Sequence, residues 1–171
     1  MNQEPATLYK LIVLYMLDRV TFPLTTAQIS EFILDKEYTN FLTLQTVISE
    51  LIETGLAESR TILNRTQLLI TDEGRRTLHY FENRISDAIK DDIQEFFRNN
   101  KLQLRNESSI QSNFYKLVNG EYEAALVARD KDVDLVSIRI SVPTRELAAS
   151  ICNNWQKKNK EIYQYLTKQL F

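Results

Sequence analysis

Apolar residues recur at three- and four-residue steps over most of the first hundred positions, then switch to alternation. Leu8, Leu11, Ile12, Tyr15, Met16 and Arg19 predict an amphipathic helix over 6–20. Thr25 and Gln28 form a capping-box pattern ahead of Ile29, Phe32 and Ile33, which predicts a second helix ending near Lys36. Phe41, Leu44, Val47, Ile48 and Leu51 give the core stripe of a third helix over 40–54, with Gly55 placed where a helix end needs positive φ. Two strand-like runs follow, Leu56–Leu63 and Thr66–Thr71, joined at Asn64-Arg65. Thr71 or Asp72 then caps a long fourth helix over 72–98 with a stripe of Leu78, Phe81, Ile85, Ala88, Ile89 and Phe96.

Beyond residue 100 the period changes. Runs at Asn113–Val118 and Glu121–Arg129 flank Asn119-Gly120, a strong hairpin signal. Val136, Ile138, Ile140 and Val142 alternate with Leu135, Ser137, Arg139 and Ser141, which predicts a strand covered on one face. Leu102–Asn106 is read as a further strand. Thr144 caps a last helix that carries Leu147, Ile151, Trp155, Ile162 and Leu166 on one side and covers the sheet. The expected fold is α+β. Residues 1–80 form an amino-terminal domain, 72–98 a connecting and dimerisation helix, and 101–171 an α+β module with an antiparallel sheet under a long helix.

Composition narrows the chemistry. The chain has 171 residues, 43% of them apolar, enough for one domain or two small ones. A single cysteine, Cys152, makes no intrachain disulfide and suits a reducing compartment. With one histidine, His79, no zinc-finger or HExxH metal set is available. Three glycines, Gly55, Gly74 and Gly120, build no phosphate-cradling loop. No apolar run is long enough to span a membrane, and Asn2, Gln3 and Glu4 do not resemble a secretory leader. A soluble, cytoplasmic protein is expected, with no catalytic group set, no cofactor and no metal. His79 reads as a surface or satisfied histidine and Cys152 as a buried thiol. Lys157, Lys158 and Lys160 read as solvated helix surface, and Asp130, Asp132 and Asp134 as turn acids. Tyr115, Tyr122 and Trp155 are either core or the lining of a small effector pocket.

The most specific stretches are Leu51-Ile52-Glu53-Thr54-Gly55-Leu56-Ala57-Glu58 and Leu68-Leu69-Ile70-Thr71-Asp72-Glu73-Gly74-Arg75-Arg76-Thr77-Leu78. These resemble the "LxxxGLxE" and "xLTxxGrxxL" stretches of PadR- and MarR-like bacterial regulators. Residues 6–98 accordingly resemble a winged helix-turn-helix domain of three helices plus a two-stranded wing. The whole length is also similar to an uncharacterised bacterial family that joins such a domain to an α+β part. The first resemblance implies binding to double-stranded DNA, with the third helix in the major groove and the wing on the backbone. Carried over residue by residue, the contacts are Lys36, Thr39, Asn40, Thr43, Gln45, Thr46 and Ser49 at the helix, and Arg60, Asn64, Arg65, Thr66 and Gln67 in the wing.

Charge runs against that expectation. Residues 1–80 hold 7 Lys and Arg against 10 Asp and Glu, net −3. The third helix carries no Lys or Arg, but does carry Glu50 and Glu53, whereas duplex affinity depends heavily on cations at phosphates. Two readings therefore stand. One is a homodimeric transcriptional regulator whose carboxy-terminal module mediates dimer contact or senses an unidentified small effector. The other is a winged-helix protein-interaction module that does not bind DNA.

Overall fold

The computed structural model describes residues 4–130 and 133–171. It divides into two compact units at Arg105–Asn106.

The amino-terminal unit begins with α1 (Pro5–Asp18), β1 (Leu24–Thr25), α2 (Thr26–Asp35) and α3 (Phe41–Glu53). β2 (Ala57–Ile62), β3 (Arg65–Ile70) and α4 (Asp72–Phe81) follow. A 3₁₀ turn (Glu82–Arg84) then leads to α5 (Asp87–Ser109), which runs past the unit boundary. Three helices and an antiparallel sheet of order β1-β3-β2 constitute a winged-helix fold. The capping box is formed as expected. Gln28 N–H donates to Thr25 Oγ1 at 3.1 Å, and Thr25 N–H donates to Gln28 Oε1 at 2.9 Å.

α1 differs from its amphipathic reading. Leu11 through Leu17 are all buried, so its second half is enclosed on every side by α3, α4 and β3. β1 was not anticipated, because two residues after Pro23 are too short to show a period. It makes β3 the central strand. The hairpin loop is Leu63-Asn64 rather than Asn64-Arg65. Ile62 pairs with Arg65, and the two loop residues have φ of 51° and 63°, as a type I′ turn requires.

The continuous helix expected over 72–98 is broken between Phe81 and Ser86. The Ser86 hydroxyl accepts from Ile89 N–H at 3.3 Å and Asp87 stands in the first turn, so a new N-terminus starts here. Phe81 and Ile85, four residues apart, carry the apolar period across the break and hide it. Leu78, Ile85, Ile93, Phe97 and Leu104 are buried in this unit's own core, and Phe81 is exposed. Of the stripe read as a dimer seam, Leu78 and Ile85 are thus internal, Ile89 and Phe96 pack partly against the same core, and Phe81 and Ala88 are exposed. Leu102–Asn106, expected as a strand, is helical, since α5 continues to Ser109.

The carboxy-terminal unit has an antiparallel sheet of order β4-β5-β6, from β4 (Ile110–Lys116), β5 (Tyr122–Asp130) and β6 (Val133–Val142). α6 (Arg145–Leu170) lies on one face, packed mainly on β4 and β5. The loop around Asn119-Gly120 matches the hairpin reading, with Gly120 at φ 87° and Leu117 N–H donating to Glu121 O at 2.7 Å. Ala124, Leu126, Ala128, Ala148, Cys152 and Trp155 form the core. Leu147, expected on the covering face of α6, is 48% exposed. A bulge between Ala128 and Arg129 sets Arg129 opposite Asp134, and their side chains pair at 2.6 Å.

The second motif stretch has a steric basis. Thr71 Oγ1 accepts from Gly74 N–H at 3.0 Å and donates to Gly55 O at 2.6 Å, which ties the start of α4 to the end of α3. A Cβ on Gly74 would stand 2.0 Å from Leu56 O, so only glycine fits against that carbonyl. Gly55, at φ 74°, has open space around it. Gly74→Ala is expected to lower unfolding free energy by about 3 kcal/mol, and Gly55→Ala by about 1 kcal/mol. Urea unfolding of the two variants checks the order.

Candidate nucleic-acid interface

α3 is built with two faces. Leu44, Val47, Ile48 and Leu51 are buried, with α1 among their neighbours. Leu42, Thr46, Ser49 and Glu53 follow at helical spacing on the opposite side, and all are exposed. Asn40 caps the helix, its Oδ1 accepting from Thr43 N–H at 2.9 Å. That bond takes one of the two acceptor positions of the Asn40 carbonyl and fixes the side chain at the cap, whereas Gln45 is half-buried in the second turn. The Thr46 hydroxyl donates to Leu42 O at 3.1 Å, which spends its proton within the helix. Thr39 and Thr43 are half-buried.

Phe41 is corrected by the structure. Its helical spacing places it in the core stripe, and it is 55% exposed, beside Leu42 at 76%. Phe41 is the first residue of the helix, one turn ahead of the buried stripe. Leu42 projects onto the polar side, a signal legible once the helix is drawn as a wheel.

In the wing, Asn64 and Arg65 are exposed at and beside the tip, and Thr66 is half-buried opposite Thr61. Arg60 Nε stands 3.6 Å from Glu58 Oε1. Gln67 is fully buried in the central strand, where its register partners are Thr25 on β1 and Arg60 on β2. It is therefore removed from the contact set. The carboxylates are unequal, since Glu50 is matched by Lys10 at 2.5 Å, while Glu53 is exposed in the last turn of α3.

Lys36 serves a different contact. Its Nζ lies 3.2 Å from Asp92 Oδ1, and the Tyr38 hydroxyl donates to Asp92 Oδ2 at 2.5 Å. The hydrogen bond from Tyr38, then that from Lys36, holds the Asp92 carboxyl below its ordinary value. Burial, with Asp92 adding to it, raises the Tyr38 hydroxyl well above the usual tyrosine value. Phe32 completes the joint between α2 and α5, with ring centroids 5.8 Å from Tyr38 and 5.1 Å from Phe96. The adjoining cleft is lined by Glu31, Asp35, Asp92 and Glu95 together with Lys36, four carboxylates against one cation.

His79 is exposed on α4. Cys152 is buried, and burial raises its thiol. Trp155 is in the core with Nε1 donating to Val127 O at 3.3 Å, and Tyr122 packs against the same cluster. Tyr115 lies on the other face of the sheet, bonded to Glu123 and approached by Arg139 at 3.3 Å, so the three do not line one pocket. Asp132 lies outside the described residues. Among the described residues no group of three metal-ligating side chains gathers, and no helix is long and apolar enough to cross a membrane.

Fold and surface together define a winged-helix domain followed by a helix-covered three-stranded sheet. The chain belongs to the domain family of unknown function DUF4364, whose family model matches residues 9–170. No curated protein and no solved structure matched it.

The Asp92 joint has a pH signature. A carboxyl held below its unfolded value contributes stability above that value and loses it as pH falls through the folded one. Tyr38→Phe removes the larger cause, so the variant is expected to lose less stability than the parent between pH 5 and pH 2. Urea midpoints across that window, about the ordinary aspartate value of 3.8, check it.

Proposed function

We propose that this protein is a DNA-binding transcriptional regulator that acts as a homodimer, with α3 as the reading element and the β2–β3 hairpin on the backbone. The observation that carries the reading is the division of α3, whose inner stripe is fully buried while its outer stripe stands free in a winged-helix fold. The uncharged outer residues suit base edges, and Arg65 supplies a phosphate contact. Weak non-specific binding follows from the missing cations on α3. Residues 106–171 are the proposed place for self-association or for sensing a small effector.

One observation favours a second reading, a protein-interaction module without DNA. Phe41 and Leu42 are large, apolar and exposed on a helix that carries no Lys or Arg.

Fluorescence anisotropy with labelled duplex from the region upstream of its own gene, at several salt concentrations, separates the two. The regulator reading expects that duplex to bind more tightly than random duplex. It also expects Arg65→Ala to lower the slope of log affinity against log salt by about 1 per copy. Equal, weak binding to all duplexes at low salt favours the protein partner. Sedimentation at micromolar concentration checks the dimer, and a species of only 20.1 kDa would remove it.

A further inference from the structure

We infer that α3 recognises A·T base pairs, with Gln45 on adenine and the apolar groups of Phe41, Leu42 and Thr46 on thymine methyls; this rests on the DNA reading above.

The four bases present different chemistry in the major groove. Guanine offers two acceptors and is read mainly by Arg or Lys, cytosine offers an amino donor suited to a carboxylate, adenine offers a donor and an acceptor suited to an amide, and thymine offers a methyl. α3 has no Arg or Lys, so the usual partner of guanine is missing from the whole element. Its carboxylates sit toward the far end of the helix. Glu50 is neutralised by Lys10 at 2.5 Å, and Glu53 is the last residue. Neither belongs to the first turns, which meet base edges in this mode of docking.

The first turns hold the groups that adenine and thymine need. Phe41 and Leu42 are 55% and 76% exposed. Thr46, one turn after Leu42, is exposed, and its hydroxyl proton is already given to Leu42 O, so its methyl is the group it adds to the apolar contacts here. Gln45 lies beside them, and the Asn40 carbonyl is held by the helix cap. Charge is consistent with one occupant. The outward stripe is neutral where it would meet base edges, and the exposed cation Arg65 is on the hairpin, where phosphate would lie.

The test is selection of bound duplexes from a random pool by the full chain at fixed salt. Anisotropy then follows on the enriched duplex with deoxyuridine in place of individual thymidines, which removes only the methyl. The expected result is an A·T-rich core in each half-site and a weakening of roughly fourfold per contacted methyl. That weakening should disappear in Leu42→Ala or Phe41→Ala. Both side chains are exposed, so the variants are expected to keep the parent's melting temperature. Gln45→Ala should relax selection at one adenine by about tenfold. An enriched G·C core, or no response to deoxyuridine, overturns the A·T assignment and leaves the regulator reading standing. Failure of any duplex to enrich overturns both, and retained capture of a protein partner that needs Phe41 and Leu42 would then identify the interaction module.

Discussion

The amino-terminal unit is organised around the second half of α1, where Leu11 to Leu17 are buried without a break. Burial of that many consecutive side chains forces other elements onto every side of the helix. α3 lies on one side, α4 on another and β3 on a third. The free face of α3 follows from this, because the helix has a single apolar stripe and α1 helps to cover it. The exposed residues from Leu42 to Glu53 are thus the far side of a packing contact. Steric fit at Gly74 and the two-way hydrogen bonding of Thr71 then fix how α4 leaves the sheet.

Much of this was legible in the residues alone. The Thr25–Gln28 box, Gly55 at positive φ and Thr71 ahead of α4 each carry a local mechanism, and each lies where that mechanism places it. The alternation of Val136, Ile138, Ile140 and Val142 likewise marked β6. These signals survive because they depend on neighbours within four residues.

What was not legible depends on distant partners. β1 is a strand only because β3 offers it an edge, and Gln67 is buried in the central strand of the sheet that β1 completes. A wing reading that counts polar residues has no means of seeing that third strand. The break at Phe81–Ser86 was masked by an apolar period that happens to continue through it. There Glu82 receives Arg19 at 3.1 Å and Lys90 at 3.7 Å, contacts that join α1, the 3₁₀ turn and α5. Lys36 shows the same limit at the candidate site. As a cation before α3 it reads as a phosphate contact, and in the structure it is exposed and pairs with Asp92, fifty-six positions away.

The hairpin tip at Leu63-Asn64 has a consequence of its own. Only two residues link six-residue strands, and both occupy the left-handed region. Such a tip has almost no slack, and its shape is set when the chain folds. A two-residue turn of this kind offers a partner surface fewer alternative shapes than a longer loop would. Little ordering entropy remains to be lost at contact, and the approach must fit at once or not at all.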